Sequence, residues 1–414
     1  MRDYDFVIIG GGASGVMAAL SVNKHYPDAN ICLIEKENQL LSKVRASGNG
    51  RCNLSNKDIK AEHYFSIASS HSNKTKYLQT AFNQISFEET KKIFSKLGIY
   101  IRLDQAGRAY PYAEQAEVVV AALSRALIEK NIRIMLETEV VAMITSDQKL
   151  LLSLSSKSQL ETSDLEKINQ CSAEKIILAC GSCAAEMLSG TKAGYQLLND
   201  LGVGITELRP ALLPIKIKLE SKAKNLSGQR FKGKARLYKN GDFIFESQGE
   251  FLFRKDGLSG IAAMELARFI GSEKNSSYEL KIDFVPELDE EEIREFLNHK
   301  SASSEEDLIN FAMAFLRKKI AIYLAKKANN LKELIKLLKS SSFQVIGSLT
   351  NKEAQVMAGG LALEQLFLPS FALKKDPRIY VCGELLDIDG RTGGYNLQWA
   401  WTSGYLAGKL LDPY

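Results

Sequence analysis

Residues 7–15 read Val-Ile-Ile-Gly-Gly-Gly-Ala-Ser-Gly, and this stretch near the start of the chain decides the fold. It places the motif G-x-G-x-x-G, at Gly10, Gly12 and Gly15, directly between a short apolar run typical of a buried parallel strand and a helix-like stretch. In a dinucleotide-binding turn the first glycine allows the tight turn, the second lets the backbone approach a pyrophosphate, and the third lets helix and strand pack closely. Glu35 follows at the end of the next predicted strand, where a carboxylate can bond ribose hydroxyls. We therefore predict a Rossmann-type α/β domain that binds a dinucleotide.

The remainder of the chain predicts two insertions into this domain. Further buried strands are predicted at 176–179 and 378–382, and a capping box at Ser86 to Glu89 predicts a helix up to residue 97. In between, residues 215–219 alternate strictly between apolar and polar, and residues 239–242 form a strong hairpin turn within 235–245. The apolar period becomes helical from 289 to 339. We predict a Rossmann-type domain interrupted by an antiparallel unit and a helical unit.

Composition excludes several classes of protein. The 414 residues are 45% hydrophobic and 25% charged with a net charge of +5, which is the profile of a folded globular protein with no strong demand for a nucleic-acid partner. The longest apolar stretches fall far short of a membrane span, and six scattered cysteines favour reduced thiols in the cytoplasm. Four separated histidines show no metal-binding spacing. We expect a cytoplasmic protein without a metal site.

The C-terminal part of the chain favours FAD over a nicotinamide as the bound dinucleotide. A predicted strand ends at Gly383 and Glu384, which places an acid where it can bind a ribityl hydroxyl. A glycine pair, Gly393 and Gly394, then precedes a predicted helix, whose positive N-terminal end would stabilise negative charge on a reduced flavin. No second G-x-G-x-x-G is present, so the sequence predicts no separate nicotinamide-binding domain.

A second glycine-rich loop, S-G-N-G-R-C-N at residues 47–53, brings cations and flexible backbone to the same predicted site. Cys52 has two interpretations: a redox-active or nucleophilic thiol, or a residue that serves packing. We favour packing, because no base lies near Cys52 in the sequence. Cys180 and Cys183 form a C-x-x-C motif. Such a motif can be a redox-active dithiol, but we favour a structural role where a strand passes into a turn.

The chain resembles the BaiN-like (YhiN-like) flavoproteins, a family of NAD(P)/FAD-dependent oxidoreductases that includes aminoacetone-oxidase-type enzymes. The resemblance rests on the motifs at 7–15, 47–53 and 383–400 and extends over nearly the whole chain. It implies a FAD-binding domain made of both chain ends, at 1–195 and 356–414. It also implies an antiparallel β-barrel insertion at 196–285 and 340–355, and a helical insertion at 286–339.

The motifs and the resemblance together predict the cofactor contacts, but they identify no catalytic residue. The predicted FAD-binding residues are Gly10, Gly12, Ala13, Ser14, Gly15, Glu35, Lys36, Lys43, Ser47, Gly48, Gly50, Arg51, Cys52, Val140, Ala179, Gly181, Gly383, Glu384, Gly394, Asn396 and Leu397.

The favoured function is a FAD-dependent oxidoreductase that transfers hydride between flavin and a small, partly apolar substrate, with NADH or NADPH as electron donor. An oxygen-using amine-type oxidase is one alternative. A flavin-containing RNA-binding or RNA-modifying protein is the other, because residues 317–339 form a basic stretch. We favour a solvated amphipathic surface for that stretch and expect no nucleic-acid partner. The sequence makes no prediction of oligomeric state.

Overall fold

A computed structural model describes residues 2–156, 169–219, 225–271, 276–297, 304–348, 354–367 and 369–409. In chain order the strands are β1 Arg2–Ile9, β2 Ile31–Ile34, β3 Ser55–Asn56, β4 Tyr64–Phe65, β5 Ile101–Leu103, β6 Arg108–Pro111, β7 Arg133–Met135, β8 Thr138–Thr145, β9 Leu150–Ser156, β10 Asn169–Leu178, β11 Arg209–Ala211, β12 Ile215–Ile217, β13 Arg230–Lys239, β14 Asp242–Phe253, β15 Gly257–Ser259, β16 Tyr278–Asp283, β17 Ser341–Ser348, β18 Val356–Ala358, β19 Leu366–Phe367, β20 Ala372–Leu373, β21 Ile379–Val381 and β22 Asp389–Gly390. The α-helices are α1 Ala13–His25, α2 Ser42–Ala46, α3 His71–Gln84, α4 Phe87–Lys96, α5 Ala116–Glu129, α6 Ala193–Asp200, α7 Ile261–Leu266, α8 Glu290–Leu297, α9 Glu305–Met313, α10 Lys318–Ala325, α11 Leu331–Lys339 and α12 Tyr395–Lys409.

The chain folds into two compact units, each with its own apolar core. Unit 1 comprises Met1–Leu208 and Val356–Tyr414, and unit 2 comprises Arg209–Gln355. The domain limits given above stay predictions.

Unit 1 is built on a largely parallel sheet in the order β19-β20-β21-β10-β1-β2-β7. β1 is parallel to both β10 and β2, and β10 is parallel to β21. Val7 and Ile8 are fully buried, because a central parallel strand is covered on both faces. The sheet therefore joins strands from both ends of the chain, and the predicted Rossmann-type fold class is confirmed.

Helices α1 and α12, from the two ends of the chain, pack closely against each other. A Cβ added at Gly404 would lie 2.2 Å from the carbonyl oxygen of Ser14, and one added at Gly408 would lie 2.3 Å from that of Ala18. Only glycine allows this approach of the two backbones. The sequence prediction did not identify this contact.

Unit 2 contains a closed barrel in the order β12-β15-β14-β13-β16-β17, with antiparallel pairing, which confirms the predicted antiparallel barrel. The predicted hairpin is present, with Lys239 paired to Asp242. The two strands beside it are longer than the pattern suggested, since pairing continues to Arg230 and Leu252. Helices α8 to α11 also belong to this unit.

Local signals in the sequence explain several boundaries. The Ser86 hydroxyl accepts a hydrogen bond from the Glu89 amide, which caps α4 as the motif predicted. Helix α1 begins at Ala13, within the glycine motif. The reason is that Gly12 takes the extended N-cap conformation, so Gly15, the last glycine of the motif, already lies within the helix.

Candidate functional site

The three glycines of the first turn meet three different surroundings. A Cβ added at Gly10 would lie 2.4 Å from the carbonyl oxygen of Ala179, and one at Gly15 would lie 1.8 Å from that of Gly10. A Cβ at Gly12 would meet no atom of the described chain within 4 Å. The first and third glycines are thus required by packing, and the second faces the open space that a pyrophosphate needs.

The N-terminus of α1 points its amides into the same region. Within the described residues no side chain caps this helix, and its first turn contains no acidic residue. The first N–H groups of a helix have no partner inside the helix, and they carry its positive end. The turn is therefore suited to binding an anionic group.

Glu35 lies beside the turn, at the end of β2. Its carboxylate accepts hydrogen bonds from the Gly11 amide at 2.7 Å and from the Glu37 amide at 2.9 Å. Burial raises the pKa of Glu35, while the two amides act in the opposite direction. Its neighbour Lys36 forms an ion pair with Glu37 at 3.6 Å. Glu35 thus lies beside the glycine turn, and its role in holding a ribose stays a prediction.

The second glycine-rich loop is held in a run of left-handed backbone conformations. The φ angles are 58° at Gly48, 56° at Asn49, 81° at Gly50 and 58° at Cys52. The Ser47 hydroxyl donates to the carbonyl oxygen of Val44 at 2.7 Å, and the Cys52 amide donates to that of Ser47 at 3.0 Å. Arg51 is right-handed, with φ −91° and ψ −16°, and Cys52 after it is left-handed, which is the pair of conformations that forms anion-binding nests in other proteins.

Arg51, in the same loop, extends outward. Its guanidinium lies over the ring of Tyr110 at 5.1 Å and within 3.9 Å of the Glu114 carboxylate.

The cysteines do not have the surroundings of reactive thiols. Cys52 is fully buried, and burial raises its pKa to about 12. Burial also raises the pKa of Cys180 to about 12, and it raises that of Cys183. A nucleophilic or redox-active thiol needs a lowered pKa. These environments favour the structural interpretation of both cysteine motifs.

An ion pair between Lys43 and Glu384 joins residues 341 positions apart in the sequence. The Lys43 ammonium lies 3.3 Å from the Glu384 carboxylate and donates to the carbonyl oxygen of Ser182 at 3.4 Å. The other carboxylate oxygen accepts from the Met357 amide at 3.0 Å. This pair brings two predicted cofactor residues, one from each end of the chain, to one place.

Gly383 is buried, and its backbone is held by α12. Its amide donates to the Ser403 hydroxyl at 2.9 Å, and its carbonyl oxygen accepts from the indole of Trp399 at 3.2 Å. Its φ is 73°, and an added Cβ would lie 2.4 Å from the hydroxyl oxygen of Ser14. Gly383 and the glycine turn are therefore in direct contact.

The residues before α12 have a structural explanation that differs in part from the predicted one. A Cβ added at Gly394 would lie 2.2 Å from the carbonyl oxygen of Ser55. The Asn396 amide group accepts from the Gly390 N–H at 2.7 Å and donates to the Gly390 carbonyl oxygen at 3.1 Å. Packing thus requires the glycine, and the Asn396 side chain organises its own loop.

The remaining predicted residues also lie in unit 1. Ala179 follows β10 and donates its amide to the carbonyl oxygen of Ile9 at 2.9 Å. Gly181 has a φ of 68° and open space on its Cβ side, Val140 is buried in β8, and Leu397 packs partly buried against the core. The structure thus places the glycine turn, the second glycine-rich loop and Glu384 in the same unit. Their contact with FAD stays a prediction.

Two further observations concern only the described part of the chain. It contains no group of three His, Cys, Asp or Glu side chains arranged for a metal ion. It contains no helix that is both long and apolar enough to cross a membrane.

Comparison with known proteins identifies the family. The model of the HI0933-like protein Rossmann domain matches residues 4–410. The 3-dehydro-bile acid delta(4,6)-reductase of Clostridium scindens is 30% identical, with 97% of each chain covered. The ribosomal RNA dihydrouridine synthase of Haemophilus influenzae is 24% identical, with 96% of each chain covered.

A solved structure shows the same fold. The 3-ketosteroid delta1-dehydrogenase of Sterolibacterium denitrificans, in complex with 1,4-androstadiene-3,17-dione, has a TM-score of 0.50 and 11% identity, with 99% of each chain covered. At this identity the likeness shows the fold alone.

Proposed function

The chain belongs to the HI0933-like Rossmann family, and on that premise we propose that it is a FAD-dependent reductase that saturates a carbon–carbon double bond conjugated with a carbonyl group. The family match confirms the resemblance found in the sequence. The reductase relative confirms the predicted enzyme class, an oxidoreductase.

The proposal is carried by what two relatives have in common. One relative is a delta(4,6)-reductase of a 3-dehydro-bile acid, whose name describes double bonds conjugated with a 3-oxo group. The other makes dihydrouridine, in which the uracil double bond conjugated with a ring carbonyl is saturated. The substrates differ greatly in size, but the reacting group is the same. We therefore assign this reacting group, rather than either substrate, to the present chain.

The site residues fit a bound FAD. The open space at Gly12 and the uncapped amides of α1 would hold the pyrophosphate, and Glu35 would hold the adenosine ribose. Lys43 and Glu384 would contact the flavin end, since Glu384 follows Gly383, which touches Ser14 of the turn. When bound, FAD supplies hydride transfer at its ring.

Helix α12 would stabilise the reduced cofactor. It spans 15 residues, and its first turn contains no acidic residue. The partial positive charge at the N-terminus of such a helix favours an anion placed against it. A reduced flavin carries negative charge on its ring, so we assign this end of α12 to holding that charge.

The reaction balances with a reduced nicotinamide as donor. The substrate double bond gains a hydride at the carbon remote from the carbonyl and a proton at the adjacent carbon, and NADH or NADPH is oxidised to NAD⁺ or NADP⁺. The sequence contains a single G-x-G-x-x-G, so we expect the nicotinamide to react at the flavin site without a binding domain of its own.

A small, partly apolar enone is the first candidate substrate, because the relative that acts on such a compound has the higher identity. A uridine within RNA is the second candidate, supported by the dihydrouridine synthase relative. The amine-type oxidase remains the alternative mechanism that experiment must separate from both.

The first test is anaerobic mixing of the purified flavoprotein with NADH and with NADPH. We expect one of them to bleach the visible flavin absorbance rapidly, because a reductase takes its electrons from this donor. If neither nucleotide bleaches the flavin while an amine does so with oxygen consumption, the protein is an oxidase and the proposal is wrong.

A further inference from the structure

The positive charge of this protein is concentrated in one short segment of unit 2. Residues 313–339 contain eight Lys and Arg residues and one acidic residue. The whole chain has 54 basic and 49 acidic residues, so the rest of it has 46 basic and 48 acidic residues and a net charge of −2. The net charge of +5 therefore arises entirely from this segment.

Six of these cations form what we call the basic helical face, on and beside α10 and α11. All six are exposed: Arg317, Lys318, Lys319, Lys326, Lys332 and Lys336. The apolar residues of the two helices, such as Leu324 and Leu334, are fully buried in the core of unit 2. The exposed surface of these helices is thus charged, without an apolar stripe.

The cations of this face lack the partners that other cations of the same unit have. On the barrel, Arg230 pairs with Glu250 at 2.8 Å, and Arg236 pairs with Glu246 at 2.7 Å. In contrast, no ion pair or side-chain hydrogen bond joins any member of the basic helical face to another described residue. Their charge is available to an external anion.

The cations at the N-terminus of α10 are electrostatically unfavourable in the isolated protein. Arg317 occupies the N-cap of α10, and Lys318 and Lys319 follow in its first turn, with no acidic residue and no side-chain cap. Cations at a helix N-terminus are repelled by the helix dipole. An external anion bound there would relieve the repulsion among the three cations and the helix end.

We propose that the basic helical face binds the phosphate backbone of RNA. The inference deepens the second substrate candidate and rests on it, since an enzyme that reduces a uridine in RNA must hold the surrounding phosphates. It departs from our expectation from sequence, which favoured a solvated surface without a nucleic-acid partner. A membrane surface fits less well, because peripheral helices insert an apolar face and here that face is buried.

The test compares two variants that remove the same charge from unit 2. The first replaces four cations of the face: Lys318→Gln, Lys319→Gln, Lys332→Gln and Lys336→Gln. The matched control replaces four barrel cations: Arg230→Gln, Lys234→Gln, Arg236→Gln and Lys281→Gln. Each control residue has an acidic partner within the chain. Thermal melting of both variants establishes that they remain folded.

Binding is measured by fluorescence anisotropy with a fluorescein-labelled, U-rich 40-nucleotide RNA over a series of KCl concentrations. We expect the first variant to bind at least about tenfold more weakly at 0.1 M salt. The slope of log affinity against log salt should fall by about 3, which is about 0.7 for each of the lost phosphate contacts. The control should change the affinity by less than about twofold, because its cations lie outside the basic helical face and contact carboxylates of the chain.

Three results would overturn the proposal. The first is a wild-type protein that does not bind the RNA at 0.1 M salt. The second is an equal loss of RNA binding in both variants. The third is a face that is needed only for binding to phosphatidylglycerol vesicles. Flavin bleaching by NADH or NADPH is recorded on the same samples and needs no RNA. A failure of RNA binding is thereby distinguished from a failure of the proposed reductase.

Discussion

Cys52 shows, at the scale of one residue, how its surroundings decide between two chemical roles. Cys52 lies in the second glycine-rich loop, and its φ of 58° is uncommon for a residue other than glycine. Its thiol is fully buried, and burial raises the pKa to about 12. We infer that Cys52 supports the loop and does not attack a substrate.

We therefore expect Cys52 to be inert in the folded protein. At pH 8 about one thiol in ten thousand would be ionised, and the thiolate is the form that reacts. Iodoacetamide should leave Cys52 unmodified in the native protein, as measured by peptide mass spectrometry, with denatured protein as the control in which it reacts. Cys52→Ala should keep its flavin and its bleaching rate within about twofold. A variant that keeps its flavin but no longer bleaches would contradict this account.

Other single residues show what the sequence does not reveal. Lys43 and Glu384 were each predicted as cofactor residues, but no spacing rule links positions 341 apart in the chain. Their ion pair exists because β1, β10 and β21 align the two chain ends in one sheet. The acid that would protonate the substrate is likewise not identified by any local pattern.

At the scale of an element, the strand–turn–helix unit from β1 to α1 was predictable because each glycine has a separate physical reason. Gly12→Val tests whether the open space at Gly12 holds the pyrophosphate. The φ of Gly12, −78°, suits any residue, and the added side chain enters open space, so the fold should persist. The side chain would occupy the predicted pyrophosphate site. We expect the flavin content of the purified protein to fall at least about tenfold, which corresponds to about 1.4 kcal/mol or more of binding free energy.

Gly204→Val is the matched control for this prediction. An added Cβ at Gly204 also meets no described atom within 4 Å, but Gly204 follows α6 and its carbonyl oxygen accepts from the Gln365 side chain. The control should retain its flavin, as measured by absorbance after denaturation. Full flavin occupancy in Gly12→Val would show that the open space is not the cofactor site.

The glycine pair before α12 was harder to interpret from sequence. From the pattern we predicted a helix end beside a reduced flavin, whereas a Cβ at Gly394 would collide with the carbonyl oxygen of Ser55. A glycine signals that something approaches closely, but the sequence does not distinguish a ligand from another part of the backbone. Such contacts depend on tertiary structure, as does the packing of Gly404 against Ser14.

At the scale of the whole molecule, the order of elements was predictable because the period of the apolar residues changes along the chain. Alternation at 215–219 marked the barrel, and the helical period after residue 289 marked α8 to α11. The distribution of charge was visible in the sequence as well. Its meaning was not, because only the structure shows which cations have acidic partners in the chain.

With FAD bound, we expect the protein to reduce a double bond that is conjugated with a carbonyl group. The direct measurement is the oxidative half-reaction, in which anaerobically reduced protein is mixed with a 3-oxo-4-ene steroid or a U-rich RNA. A saturated 3-oxo steroid serves as the matched control. We predict that one conjugated substrate reoxidises the flavin and gains two hydrogen atoms by mass spectrometry, while the control does neither. Reduced flavin that persists with every conjugated carbonyl compound and reoxidises only with oxygen would contradict the account.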